Sequence, residues 1–368
     1  MKRAKVFFTD MRATAEENLQ AKLDRLIRTA GIGDIDFKRK FVAIKIHFGE
    51  RGNLAFLRPN YARTVVDLVR ELGGKPFLTD ANTLYVGHRK EALEHLETAY
   101  LNGFSPFSTG CHVIIADGLK GTDEALVPVP GGELVKQAKI GRAIMDADVV
   151  VSLNHFKGHE LTGIGGAIKN VGMGSGSRAG KMEMHAEGGL RVAADLCVGC
   201  GRCLPACAQE AISLRDGKSR IDPARCAGCG RCLPLCPVDA IDPVDSSSNA
   251  KLNQKMAEYA AAVLAGRPHF HISLAIDVSP VCDCHAENDV PIVPDVGMFA
   301  SFDPVALDAA CAEAVNRQPE QPGSLLAESP GRDKDYFRRI GPETDWWDAL
   351  DHAARLGLGR LEYELTAV

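Results

Sequence analysis

The chain has 368 residues, 45% hydrophobic and 25% charged, with 43 Lys and Arg against 48 Asp and Glu for a formal net charge of -5. That composition is globular, the length suggests two or three domains, and a mildly acidic chain lacks the clustered positive charge that nucleic acid or an anionic membrane requires. The basic start breaks its apolar run at Asp10, too early for a secretory segment, so a cytoplasmic location is expected, with no nucleic acid and no membrane among the partners.

Residues 40–48 are apolar and partly alternating and read as a strand. Val65, Leu68, Val69 and Leu72 mark one face of a helix over 61–72, closed by Gly73-Gly74, and 75–80 begins the next strand. Short apolar runs follow at 112–116 and 149–153, with a helix predicted over 140–147 between them. Strands alternating with helices indicate an α/β domain with a largely parallel sheet. Residues 163–180 are rich in glycine, and a cysteine-rich segment follows. Beyond a linker at 246–249, a helix over 250–264, a strand near 272–277 and a helix over 304–315 resume the pattern. The expected organisation is a discontinuous α/β domain, 1–186 and 247–368, interrupted at 187–246 by a small cysteine-rich domain.

Twelve cysteines in a chain without a secretory segment point to metal binding rather than disulfides. Eight of them form a repeat: Cys197, Cys200, Cys203 and Cys207 return 29 residues later as Cys226, Cys229, Cys232 and Cys236. Thiolates are soft ligands suited to iron–sulfur clusters, and three cysteines spaced three apart can wrap one corner of a cubane while the fourth comes from further away. Tandem runs of this kind are the two-cluster bacterial ferredoxin arrangement, an α+β domain expected here at 187–246, in which the last cysteine of each run serves the other cluster. Cys197, Cys200, Cys203 and Cys236 are therefore expected on one [4Fe–4S] cluster, and Cys226, Cys229, Cys232 and Cys207 on a second. Pro237 follows the last cysteine, as the motif expects, while Ala208 stands at the matching place after Cys207. Zinc, which takes four ligands as two separated pairs, fits two runs of four poorly.

The segments Lys45-Ile-His47-Phe-Gly49-Glu50, Thr79-Asp80-Ala-Asn82-Thr83-Leu-Tyr85 and His155-Phe-Lys157-Gly158-His159-Glu160-Leu-Thr162-Gly163 resemble the DUF362 family of iron–sulfur proteins. The resemblance continues through Gly166-Ala-Ile-Lys169-Asn170, Cys282-Asp-Cys284 and Ser301-Phe-Asp303-Pro304-Val-Ala306-Leu-Asp308. It implies the fold and the inserted clusters, and it names no substrate.

A second site is expected in the α/β domain. His155, Lys157 and His159 follow a strand and share a face at period two, or, for the histidines, at i, i+4 in a helix. Imidazoles ligate metals and a lysine beside them suits an anionic substrate; the plainer alternative is a solvated strand end. Residues 163–170, ending in Lys169 and Asn170, could cradle an anion at a helix start, or simply form a tight turn. Cys282 and Cys284 can chelate one ion or act as a redox dithiol, with His285, Glu287 and Asp289 nearby. His47, Glu50, Asp80 and Asn82 close the first two strands, at the edge where ligands bind in such sheets. Catalytic or binding candidates are thus Cys282, Cys284, His155, Lys157, His159 and Lys169, and metal-ligand candidates Cys282, Cys284, His155, His159 and His47. Cys111, Cys311, Trp346 and Trp347 read as packing residues.

The favoured function is an oxidoreductase whose two [4Fe–4S] clusters exchange electrons with that second site, where a further metal or a flavin could sit. Its partner would be a redox protein or a small-molecule electron donor or acceptor. The alternatives are a pure electron carrier or cofactor-assembly protein. A third is a metallocofactor isomerase, since His155, His159, Gly163, Gly165, Gly166 and Lys169 are spaced similarly to a segment of nickel-pincer lactate racemase-type proteins.

Overall fold

The structure is a computed structural model describing residues 3–84, 87–185, 189–207, 209–226, 230, 232–244, 248–331 and 333–368. Eight strands form the main sheet: β1 (Ala4–Thr9), β2 (Phe41–Lys45), β3 (Lys75–Asp80), β4 (Val113–Ile115), β5 (Val149–His155), β6 (His269–Ala275), β7 (Gly297–Ser301) and β8 (Tyr363–Ala367). Their order is β8-β1-β7-β6-β5-β2-β3-β4, and only β7 runs against the rest. The fold class is α/β, with the mostly parallel sheet that the alternation predicts.

All seven residues of β5 are buried, as a central strand covered on both faces must be. Helices Ala167–Ser175, Asn249–Leu264 and Pro304–Asn316 cover one face, and Leu19–Thr29 and Pro59–Glu71 the other. The first two helices approach so closely that a Cβ at Gly172 would fall on the Met256 carbonyl, so only glycine fits there. Among the described residues no helix is long and apolar enough to cross a membrane.

Two local expectations change. The helix predicted over 140–147 is only Arg142–Asp146, because Ala138 and Ile140 alternate with polar neighbours and belong to a hairpin, Glu124–Pro128 with Gln137–Gly141. Of the expected linker, Ser246 and Ser247 lie outside the described residues, while Ser248 caps the helix Asn249–Leu264 by accepting from the Lys251 N–H.

The described residues of 190–243 contribute nothing to the main sheet. They form two antiparallel pairs, Leu190–Val192 with Ile241–Pro243 and Ile212–Arg215 with Lys218–Ile221, the latter turning at Asp216-Gly217 with both residues at positive φ. Single 3-10 turns follow Cys203 (Leu204–Ala206) and Cys232 (Leu233–Leu235), so the sequence repeat is also a structural one. Leu190, Cys203, Ile212, Cys232, Leu233 and Ile241 share an apolar cluster with Met182 of the helix Arg178–His185.

Candidate functional site

The parallel strands deliver their carboxyl ends to one edge. β2 ends on Lys45 and β3 on Asp80, and their side chains pair at 2.8 Å, both almost fully buried. Lys45 Nζ also donates to Asn170 Oδ1 (2.7 Å), while Asn170 returns its amide to the Lys45 carbonyl at 2.9 Å. Arg89 lies 3.1 Å from Glu50 and 3.8 Å from Asp80, and His95 Nε2 3.8 Å from Asp80. Burial opposes the charge on Asp80, yet Lys45, His47, His95 and Arg89 hold its carboxyl well below the usual range. A cavity of about 50 Å³ opens beside this network, lined by Lys45, Arg89, Lys157, Lys169 and Lys181; Asp80 is the only carboxylate among the described lining residues. Burial pushes Lys181 down to about 8.

The loop after β6 carries the thiols. Asp283 is held by His155, whose Nδ1 lies 2.9 Å from both carboxylate oxygens, and by Lys157 Nζ at 3.1 Å. Cys282 and Cys284 turn the other way. Lys169 Nζ stands 3.0 Å from Cys282 Sγ, and His159 and the Cys284 thiol hydrogen-bond to the same sulfur. Burial opposes ionisation of Cys282, but the hydrogen bond from Cys284, the Lys169 and Lys157 ammonium groups and His159 hold its thiol well below the ordinary value. Cys284, whose proton is engaged by Cys282, is pushed well above it. Two sets of ligand-type atoms gather within 4.8 Å: His159, Cys282 and Cys284, and, further out, Glu160, Cys284 and His285. A second cavity of about 170 Å³ adjoins them, lined by His159, Glu160, His185, Cys284 and His285, and Lys169 and Met173 border both cavities.

The six catalytic candidates thus come together, but not as one ligand cluster. His155 does not join the metal-ligand atoms: its Nε2 faces the Ile276 carbonyl at 2.8 Å and its Nδ1 faces Asp283, so both nitrogens are occupied. His47 does not join them either, since Nδ1 accepts from the Gly49 N–H at 3.0 Å and Nε2 faces Arg89 at 3.1 Å. The segment 155–159 is not helical; Lys157–His159 pairs with Gly163–Gly165 in a hairpin. Residues 163–170 hold no open anion cradle, because the Ala167 and Ile168 N–H groups donate to Asp308 at 2.7 and 2.9 Å, and a Cβ at Gly166 would run into that carboxylate. Cys111, Cys311 and Trp346 are buried, whereas Trp347 is 43% exposed. Arg89, Lys181 and Asp283 were not singled out as site residues. Asp283 had a signal, since it lies between two flagged cysteines; Arg89 had none.

The buried His95 sets an acid limit. Burial holds His95 down to about 3, against an ordinary value of 6.5. The unfolded chain therefore takes up a proton near pH 6.5 that the folded chain refuses until about pH 3. Stability is complete above pH 6.5 and falls on acidification by about 1.4 kcal/mol per pH unit for this group. In urea titrations from pH 7 to pH 5, His95→Phe is expected to flatten that slope by roughly this amount; an unchanged slope would show that His95 is protonated in the fold.

None of the described cysteines is in a disulfide; Cys229 lies outside the described residues. Backbone N–H groups point at the repeat's sulfurs: Ala211 at Cys207 and Ala240 at Cys236, both 3.2 Å, and Ser219 and Gly199 at Cys197, both 3.4 Å. Such bonds stabilise thiolates.

No curated protein matches the chain. Similar solved structures include a Thermotoga maritima protein (14% identity, 83% of this chain, TM-score 0.42) and the lactate racemase apoprotein from Thermoanaerobacterium thermosaccharolyticum (12% identity, 100% of this chain and 84% of that one, TM-score 0.41). The chain spans 60% of the length of the Thermotoga protein. A family model, described as a domain of unknown function, matches residues 42–313 of this chain, which accordingly belongs to the DUF362 family.

Proposed function

We propose that this protein is an iron–sulfur oxidoreductase in which a ferredoxin-like unit at 187–246 holds two [4Fe–4S] clusters and exchanges electrons with the thiol site at Cys282 and Cys284. The helix Arg178–His185 carries the reading. Its Met182 packs with Cys203 and Cys232, its Lys181 lines the cationic cavity, and its His185 lines the cavity beside Cys284. Lys90 pairs with Asp239, a second link between the two parts. When bound, the clusters would supply one-electron steps at low potential. The cysteines of the repeat would hold them, with the N–H groups of Ala211 and Ala240 offsetting thiolate charge. The cationic cavity suits a small anionic substrate beside Lys169.

Iron and sulfide assay of anaerobically purified protein, with EPR after reduction, tests this. About eight iron atoms per chain and signals of two [4Fe–4S] clusters are expected. Cys207→Ser and Cys236→Ser are each expected to damage one cluster, that of the second run and that of the first respectively. Stoichiometric zinc, or about four irons, would overturn the reading.

A further inference from the structure

We propose that Cys282 and Cys284 form a dithiol–disulfide couple, which takes up as a pair the two electrons that two clusters deliver one at a time. The inference rests on the reading that the repeat holds two clusters.

The chain is shaped for the couple. The Cys282 carbonyl accepts from the His285 N–H at 3.1 Å, closing a turn that brings residues 282 and 284 into the Cα range of a disulfide. The two sulfurs lie within 4.8 Å of each other, so closing the bond asks for only a short movement of the two side chains. Asp283, turned away and clamped by His155 and Lys157, keeps the loop in place while the sulfurs move.

The surroundings of Cys282 match the reduced product. Its sulfur faces the Lys169 ammonium at 3.0 Å, the Cys284 N–H at 3.4 Å, the Cys284 thiol and His159. Reduction breaks the Cys282–Cys284 S–S bond with two electrons and one proton. Cys282 keeps an electron pair as thiolate, Cys284 takes the proton, and each reduced cluster gives up one electron. A low-potential one-electron donor then recharges the clusters.

The same geometry argues against a bound ion. His159 Nδ1 accepts from the Leu161 and Thr162 N–H groups at 3.0 and 3.2 Å. A neutral imidazole accepting at Nδ1 carries its proton on Nε2. The nitrogen left to face the thiols is therefore a donor, not a ligand. Lys169 occupies the position beside Cys282 that an ion would need, and its charge repels one.

Dithionite titration of the oxidised, anaerobic holoprotein tests the couple. Wild type is expected to take up about four electrons per chain, and the Cys282→Ser, Cys284→Ser variant about two. Cys284→Ala alone removes the couple equally and serves if the double variant does not fold. Acid quenching and iodoacetamide labelling should leave both thiols unlabelled before titration and label both after it. About two electrons in wild type with both clusters present by EPR would overturn the couple while sparing the cluster reading. So would a stoichiometric metal that the double variant lacks. If iron assay finds no clusters, the cluster reading fails, and labelling across dithiothreitol redox buffers still decides whether the two thiols interconvert with a disulfide.

Discussion

Replacing Asp80 with Ala is expected to cost about 3–5 kcal/mol of folding stability, the range for removing one partner of a buried charge network. The loss comes from what is left behind. Lys45 is 1% exposed and, among the described residues, keeps the neutral oxygen of Asn170 as its side-chain partner. Burial already holds Lys45 below its ordinary value, with Asp80 as the main opposing charge. Arg89 retains Glu50 at 3.1 Å but loses its second carboxylate. Because the cost is that of an unpaired cation, Lys45→Met in the Asp80→Ala background should recover part of it. Two residues 2.8 Å apart are well within the range where mutational effects fail to add. Urea denaturation of the two single variants and the double, followed by tryptophan fluorescence, checks this. A double variant whose loss equals the sum of the singles would mean that the pair contributes nothing as a pair.

What could be read from the sequence follows which interactions are local. β3 begins at Lys75 and ends at Asp80 as predicted, because Gly73-Gly74 stops the preceding helix and the apolar run is bounded on both sides. The shared edge of Lys45, Asp80 and His155 follows from strand polarity, which βαβ alternation imposes. The thiols lie beside His159 and Lys169 because the loop after β6 leaves the sheet next to the end of β5. Partner choice within that edge was not legible. His155 and His159 have the same residue type and neighbouring positions, yet one is spent on Asp283 and a carbonyl while the other faces Cys282. The difference is made by the turn at Cys282–His285, which sends Asp283 one way and the sulfurs the other. The glycine-rich helix start at Gly166 resembles an anion cradle locally, but Asp308, distant in sequence, fills it. The strand around Ile140 is not legible in the sequence because its apolar residues are few and its hairpin partner, Glu124–Pro128, shows little alternation.

Asp283→Asn is expected to produce the second large effect, in two quantities at once. The substitution keeps the shape of the side chain and removes the charge that faces His155 at 2.9 Å and Lys157 at 3.1 Å. Asp283 is 1% exposed, and His155 and Lys157 hold its carboxyl well below the usual range despite burial. Leaving the buried Lys157 ammonium group without its carboxylate, and His155 without its Asp283 partner, is expected to cost about 3–5 kcal/mol. The thiols respond in the opposite sense. Lys157, released from Asp283, is then free to act on Cys282, whose ionised form it already favours. A better stabilised thiolate favours the dithiol over the disulfide, so the midpoint potential of the Cys282–Cys284 couple rises, by roughly 30 mV for each 1.4 kcal/mol gained. Lys157→Met removes the cation instead and should lower the potential, which keeps the sign testable if Asp283→Asn proves too unstable to purify. Equilibration in dithiothreitol buffers, acid quenching and thiol labelling measure both shifts. A fall in potential for Asp283→Asn, or a rise for Lys157→Met, would mean that Asp283 and Lys157 position the loop without tuning the sulfurs. Their pairing would then be a matter of stability alone.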